Sequence, residues 1–137
     1  MTNNAARVIE NLCLNQGKIM HKLSKKFVDR VTDAVKNYQK ISLQQQKNDV
    51  SEADTVTLVK DMLSDVFGFN KYDELTSEHK IKSTYCDLAV KIDGKIRLLI
   101  EVKSAGSNLT DAHLKQAIDY GAHHGIHWVV LTTLYYY

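Results

Sequence analysis

The stretch TYCDLAVKIDGKIRLLIEVK, residues 84 to 103, decides the fold, because it predicts two strands joined by a tight turn. Two runs rich in apolar and β-branched residues flank Asp93-Gly94, a pair typical of hairpin turns. The second run ends in Glu101 and Lys103, with one valine between them. Because side chains alternate between the two faces of a strand, we expect both charged groups on the same face.

The hydrophobic pattern also predicts the register of this hairpin, and the register decides where Asp87 lies. A two-residue turn at Asp93-Gly94 would place Asp87 and Glu101 on opposite faces. A three-residue turn that starts at Ile92, with a G1 bulge, places them on the same face, with Asp87 opposite Leu99. We predict the three-residue turn because it gathers the even-numbered apolar residues on one face: Cys86, Leu88, Val90, Ile96, Leu98, Ile100 and Val102.

The remainder of the chain predicts an α/β domain built on a mixed β-sheet, in the order helix, three strands, helix, strand. Ser51 and Asp54 form a capping box at the start of the second helix, and the polar stretch 42–49 is expected to fray or to form a linker. We predict an N-terminal helical extension over residues 1–47 and a core over residues 48–137. The expected elements of that core are a helix from Ser51 to Gly68, strands over 75–82, 84–92 and 95–103, a helix over 111–121 and a strand over 126–133.

The last helix and strand predict a parallel crossover. Thr110 is the expected helix cap, and the inner stripe is expected to consist of Leu114, Ala117 and Ile118. The stretch 121–125, bounded by two glycines, is expected to break the helix. A strand, helix, strand order implies that the two strands are parallel, with a right-handed connection.

Composition restricts the class of protein. The chain has 137 residues, 25% of them charged, with a formal net charge of +2, which fits one soluble domain with its own core. No apolar run approaches the length of a membrane span, so no membrane association is expected. Two cysteines, Cys13 and Cys86, have no metal-site spacing, and we expect a reducing, cytoplasmic location.

The three charged groups of the hairpin suggest a chemistry. Two carboxylates held close in a partly buried site do not both stay charged unless a cation joins them. Ligands that are all oxygen favour a hard ion such as Mg²⁺, and Lys103 beside them can hold a phosphate oxygen or an attacking water. That combination is suited to phosphodiester hydrolysis. The alternative is that Glu101 and Lys103 are the solvent-facing end of an amphipathic strand.

Asp87, followed fourteen residues later by Glu101-Val102-Lys103, resembles the D…(D/E)xK signature of the PD-(D/E)XK nuclease superfamily. The flanking segments SEADTVTLVKDMLSDVFGF, YCDLAVKIDGKIRLLIEVKSAG and QAIDY resemble the N-terminal nuclease domain of type I restriction enzyme R subunits and their small stand-alone relatives. The resemblance spans roughly residues 50–133. It implies a restriction-endonuclease-like fold and a DNA endonuclease that depends on Mg²⁺, for which Mn²⁺ can substitute.

The resemblance also implies roles for individual residues of the hairpin. Asp87 and Glu101 match the metal-binding carboxylates, and Val102 between the motif residues is assigned to the same metal site. Lys103 matches the residue that positions the attacking water or stabilises the transition state.

Three further residues match the family outside the hairpin. Gln116 and Tyr120 match its QxxxY motif, and their spacing puts them on one helix face. Glu52 matches the acid at the start of the first core helix. Alternatively, Gln116 is a surface helix residue, Tyr120 is a packing residue, and Glu52 only favours a helix N-terminus.

The partners expected from the resemblance are DNA and the motor or specificity subunits of a restriction system, with a homo-oligomer as a further expectation. Residues 18–40 hold seven basic and two acidic residues, which suits either contact with a phosphate backbone or a solvated helix face. The alternative function is a catalytically inactive DNA-binding or protein-interaction module on the same fold. Four histidines are expected to be solvated loop residues rather than zinc ligands: His113, His123, His124 and His127.

Overall fold

A computed structural model describes residues 24–81 and 84–134, without the side chains of residues 78–85. In these ranges it contains three helices and four strands. They are α1 (Lys25–Lys47), α2 (Glu52–Asp65), β1 (Leu75–Ile81), β2 (Thr84–Ile92), β3 (Lys95–Val102), α3 (Asp111–His124) and β4 (Trp128–Thr132).

The four strands form one mixed sheet in the order β1-β2-β3-β4. The two hairpin pairs, β1 with β2 and β2 with β3, are antiparallel, and β4 pairs with β3 in parallel after the α3 crossover. The described residues therefore form a mixed α/β fold. The predicted α/β class and mixed sheet are confirmed. The order of elements after residue 50 also follows the prediction.

The turn between β2 and β3 differs from the predicted one. Ile92 pairs with Lys95, so that the loop consists of Asp93 and Gly94 alone. Their φ angles are 53° and 72°, and two positive values are what a type I′ turn requires. The predicted three-residue turn is wrong, because Asp93 tolerates the left-handed conformation and the shorter turn matches the twist of the strands.

The change of register takes place inside the hairpin instead. Lys91 pairs with Ile96 but Val90 pairs with Leu98, which leaves Arg97 as an extra residue in β3. An extra residue moves every later side chain of that strand to the other face. The bulge thus does what the longer turn was expected to do, a few residues farther along the strand.

Beyond this bulge the pairing differs by two residues from the predicted one. Leu88 lies opposite Ile100, the last pair of the β2–β3 ladder, whereas the predicted register set Leu88 against Leu98. The predicted pairing of Asp87 with Leu99 is therefore wrong, because Leu99 pairs with Ala89.

The core consists of two clusters, one on each side of the sheet. The larger cluster joins α1 and α2 to the sheet through Tyr38, Leu58, Val59, Leu63, Val66, Leu75, Leu88, Val90, Ile100, Val102 and Leu134. The smaller cluster lies under α3 and contains Cys86, Ala89, Leu99 and Tyr120, with Ile96, Ile126 and Val129 packed against it.

Two of the apolar residues expected on a common face lie on the other side. Ile96 packs in the α3 cluster because it precedes the bulge at Arg97. Cys86 also lies in that cluster, with its thiol directed at the carbonyl oxygens of Leu88 and Ile100. Regular alternation along β2 therefore ends at the residue before the aspartate.

Helix α1 is packed into the larger cluster. The Tyr38 hydroxyl donates to the Asp65 carboxylate, and the fully buried Ser42 hydroxyl donates to the Leu134 carbonyl. The helix continues to Lys47, so the expected fraying over 42–49 is wrong: Ser42 is held in the core by its hydrogen bond. The domain boundary at residue 47 stays a prediction, and residues 1–23 lie outside the described part.

Helix α3 is longer than predicted. It runs through Gly121 to His124 and ends at Gly125, whose φ of 62° is left-handed. Gly121 does not break the helix, because its role is close packing: a Cβ atom there would lie 2.5 Å from Val129 Cγ2. The stretch 121–125 does end the helix, but it does so at Gly125 and not at the predicted residue 121.

The inner face of α3 also differs from the predicted stripe. Ala117 is buried as expected, but Leu114 and Ile118 are 50% and 56% exposed. Tyr120 and Gly121 are the other buried residues of the helix. The stripe is rotated because glycine lets α3 approach the sheet on that side.

The histidines of this region are not all loop residues. His113 belongs to the first turn of α3, where its Nδ1 accepts from the Thr110 N–H in a capping box. His123 and His124 form the last turn of the same helix, and His123 Nδ1 lies 2.6 Å from the Asp119 carbonyl oxygen. Only His127 lies in a loop.

In the described ranges no helix is both long and apolar enough to cross a membrane.

Candidate active site at the end of strand β3

Glu101 and Lys103 meet where β3 ends and α2 begins. The Lys103 Nζ atom lies 2.8 Å from Glu101 Oε1 and 3.8 Å from Glu52 Oε1. Glu52 reaches this position because Ser51 and Asp54 form the predicted capping box and fix the first turn of α2. The structure therefore brings Glu52 to the pair from a different element.

Asp87 is attached to the same point from the neighbouring strand. Its Oδ2 atom accepts a hydrogen bond of 2.7 Å from the Val102 N–H, the amide between the glutamate and the lysine. A carboxylate thus takes the position that a strand carbonyl would have if the regular β2–β3 pairing went on. Asp87, Glu101 and Lys103 converge as the sequence predicts.

Glu101 is the most unusual group of the site. It is only 2% exposed, and its Oε2 atom has no hydrogen-bond partner among the described residues. Burial raises the pKa of the Glu101 carboxyl, and the charges of Asp87 and Glu52 raise it further, whereas Lys103 lowers it in part. An unpaired buried carboxylate oxygen costs about 1–3 kcal/mol or more, so this arrangement favours a ligand at that oxygen.

Lys103 is held in its charged form by its neighbours. Burial lowers the pKa of its ammonium group, but the hydrogen bond to Glu101 and the charges around it raise the pKa above the ordinary value. The carboxylates of Asp87, Glu101 and Glu52 outnumber this single cation. With all four groups charged, the cluster keeps an excess of negative charge that a divalent cation would offset.

The donor set fits a hard cation. An orphaned carboxylate oxygen on Glu101, a second carboxylate on Asp87 and surplus negative charge are features that suit Mg²⁺ or Mn²⁺. Within the described ranges no three His, Cys, Asp or Glu side chains are grouped as metal ligands, so these two carboxylates would need other oxygens beside them. The carbonyl oxygen of Val102 is the group through which that predicted metal residue would take part.

A cleft of about 380 Å³ opens next to this cluster. It is lined by Glu52, Ala53, Val56, Thr57, Ser77 and Asp87. The lining combines one face of α2 with the two strands β1 and β2. A substrate that enters the cleft therefore has direct access to two of the three carboxylates.

Two threonines that the sequence did not single out hold the loop after Lys103. Thr55 is fully buried, and its Oγ1 accepts from the Ala105 N–H at 2.9 Å. Thr133 donates to the Ser104 carbonyl at 2.6 Å. The signal in the sequence was Thr55 itself, a hydroxyl that stands one turn from Val59 on the inner side of a helix.

The QxxxY pair forms a separate contact. Gln116 Nε2 donates to the Tyr120 hydroxyl at 2.7 Å, and Tyr120 is buried against Cys86 and Leu99. The two residues share one helix face as predicted. Among the described hydrogen bonds, none joins either of them to Asp87, Glu101 or Lys103, so a role in catalysis stays a prediction.

Comparison with known proteins adds no information about the site. No protein-family model, curated protein or solved structure matches the chain. The resemblance to the PD-(D/E)XK nucleases therefore stays a prediction from the motif residues.

Proposed function

We propose that the chain is a metal-dependent DNA endonuclease domain of the PD-(D/E)XK type, with a restriction-endonuclease-like fold. The observation that carries the proposal is the buried Glu101, whose unpartnered Oε2 lies in a cluster with Asp87 and Lys103. Glu101 is buried and Lys103 is partly buried, which argues against a solvent-facing strand end. The expected partners are DNA and, as the motif residues imply, motor or specificity subunits of a restriction system.

Asp87 and Glu101 are the residues that would hold the metal, and the carbonyl oxygen of Val102 is the third group assigned to the site. When bound, Mg²⁺ supplies Lewis-acid polarisation of a phosphoryl oxygen and offsets its charge. Glu101 orients this site because one of its oxygens is fixed by Lys103 and the other is free. Asp87 holds the end of β3 against β2 through the Val102 amide, which keeps the two carboxylates together.

Lys103 stabilises negative charge at the reacting phosphate. Its ammonium group stays cationic at neutral pH because the surrounding carboxylates raise its pKa. Two carboxylates, Glu101 and Glu52, restrict where the long side chain can go. A fixed, partly buried cation is worth more to a developing oxyanion than a mobile one in water.

Helix α1 supports a nucleic acid as the substrate. Lys36, Lys40 and Lys47 are exposed, and at 100° per residue they lie within about 40° of one another around the helix. No acidic residue stands between positions 34 and 48. Like charges at i and i+4 destabilise a helix slightly, so a polyanionic partner would give this lysine face a purpose.

The proposal is tested with supercoiled plasmid and the purified chain in Mg²⁺ or Mn²⁺, with EDTA as control. We expect cleavage that EDTA stops and that Glu101→Gln, Asp87→Asn and Lys103→Met each reduce by at least about a hundredfold. Lys115→Ala is the matched control, because this exposed lysine pairs with Asp119 on α3. Cleavage at the parent rate by Lys103→Met would contradict the assigned roles.

A second candidate is a DNA-binding or protein-interaction module that does not cut. The observation that favours it is that Asp87 and Lys103 already have partners in the chain, namely the Val102 amide and Glu101. Such a module would bind duplex DNA with a steep salt dependence and without cleavage that metal stimulates. The plasmid assay therefore separates the two candidates directly.

A further inference from the structure

A basic side chain, Lys60, contacts one of the residues that line the cleft beside Asp87. Glu52 and Asp87 contribute carboxylates, whereas Ser77 on β1 carries the ammonium group of Lys60 at 3.1 Å from its hydroxyl oxygen. A metal site explains the acidic side. A metal site does not explain why Lys60 of α2 donates to Ser77 of β1.

Lys60 lies on the same face of α2 as two residues of the cleft wall. Glu52, Val56 and Lys60 follow one another at intervals of four residues, so they form a row along the helix. Lys60 is about 12 Å from Glu52 along the axis, at a rise of about 1.5 Å per residue. The row thus starts at the carboxylates and ends at a cation.

Ser77 connects this cation to the strand that carries Asp87. Ser77 pairs with Leu88, the residue after the aspartate. Its hydroxyl oxygen accepts from Lys60, which leaves the hydroxyl hydrogen available for an acceptor outside the chain. The partner of Lys60 here is neutral, so this contact leaves the positive charge of the ammonium group in place.

We propose that Lys60 and Ser77 form a phosphate-binding subsite for a nucleic-acid strand whose reacting phosphodiester lies at Asp87, Glu101 and Lys103. This inference rests on the proposed function for the identity of the substrate. An ammonium group beside a hydroxyl group offers an anionic phosphate oxygen two hydrogen-bond donors. The contact itself contains no carboxylate that would repel the phosphate. The row of about 12 Å is several times the rise of one nucleotide along a duplex, about 3.4 Å, so the phosphate bound at Lys60 would not be the reacting one.

A structural role alone is the competing explanation, since the Lys60–Ser77 hydrogen bond also joins α2 to β1. The two explanations differ in whether the positive charge of Lys60 contributes to DNA binding. A structural tie is lost equally in Lys60→Ala and Ser77→Ala and has no effect on the salt dependence of DNA binding. A phosphate subsite depends on the positive charge and changes that dependence.

The test is the affinity of the full chain for a fluorescent DNA duplex, measured in EDTA at several salt concentrations. We expect Lys60→Ala to weaken binding by roughly threefold to tenfold and to reduce the slope of log K against log salt by about 0.9. Lys60→Arg, Ser77→Ala and the control Lys115→Ala should keep the parent slope. Thermal melting of each variant checks the fold, and Lys60→Gln carries the same expectation where Lys60→Ala folds poorly.

The outcomes also separate this inference from the proposed function. If the parent cuts plasmid but Lys60→Ala and Lys60→Gln bind with the affinity and slope of Lys115→Ala, the subsite is overturned and the nuclease proposal is not. If neither the parent nor any variant cuts plasmid, but Lys60→Ala weakens DNA binding and reduces its salt dependence, the phosphate-binding role of Lys60 stands and the nuclease proposal falls. A parent chain that binds no DNA at low salt overturns both.

Discussion

Val102 donates its backbone N–H to Asp87 Oδ2 at 2.7 Å, so the aspartate of one strand is fastened to the residue between Glu101 and Lys103 on the next. This contact does two things at once. It ends the β2–β3 pairing with a side chain instead of a carbonyl, and it sets the spacing between the two carboxylates of the candidate metal site.

The two roles of Asp87 can be separated by substitution. Asp87→Asn keeps an oxygen that accepts from Val102, so we expect its free energy of unfolding to stay within about 0.5 kcal/mol of the parent while metal-dependent cleavage is lost. Asp87→Ala leaves the amide without its acceptor and should lower the free energy of unfolding by about 1–2 kcal/mol as well. Urea denaturation and the plasmid assay measure the two effects, and equal stability of the two variants would contradict the structural role.

Glu101 gives the metal-free protein a characteristic pH dependence. Its folded pKa is raised above the ordinary value of 4.5, so its favourable contribution is present below that pH and is lost as the pH rises and the buried carboxyl ionises. Glu101→Gln cannot ionise. In EDTA we therefore expect the parent to lose free energy of unfolding relative to Glu101→Gln as the pH rises above the ordinary value of 4.5.

Urea denaturation of both proteins across that pH range provides the measurement. Lys103 does not disturb it, because its raised folded pKa keeps it charged, and its contribution is lost only above its ordinary value of 10.5. A difference between the parent and Glu101→Gln that stays constant with pH would show that the carboxyl is not held at a raised pKa.

Much of the site follows from the sequence because it depends on side-chain alternation. The apolar pattern of β2 and β3 required that Asp87 and Glu101 come together, and that grouping was predicted without knowledge of the bulge. The β-bulge at Arg97, which brings the two carboxylates together, could not be predicted. Arg97 is an exposed polar residue with no local feature that distinguishes a bulged position from a regular one, whereas Asp93-Gly94 accepts either turn.

The parts that could not be predicted depend on contacts between distant residues. Ser42 looked like the start of a polar tail, yet it is fully buried because the Leu134 carbonyl, far along the chain, needs a donor. Thr55 is marked in the sequence only by its place on the inner side of its helix, and its hydrogen-bond partner lies in the loop that follows β3. Periodicity within one element contains no information about either partner.

The Thr55 contact leads to a prediction about the loop that carries Lys103. Thr55→Val keeps the shape of the side chain but leaves the buried Ala105 N–H without an acceptor, so we expect a loss of about 1–3 kcal/mol in the free energy of unfolding. Thr55→Ser restores the oxygen and should recover most of that loss. Chemical denaturation of the three proteins checks this, and a Thr55→Val protein as stable as the parent would count against the contact.

The central claim is that Asp87 and Glu101 share one divalent ion beside Lys103, and calorimetric titration of the purified chain with Mn²⁺ tests it most directly. We predict one site per chain in the parent, no detectable site in Asp87→Asn or Glu101→Gln, and binding at least as tight as the parent in Lys103→Met, because that change removes a competing cation. Equal Mn²⁺ affinity in the parent, Asp87→Asn and Glu101→Gln would contradict the claim.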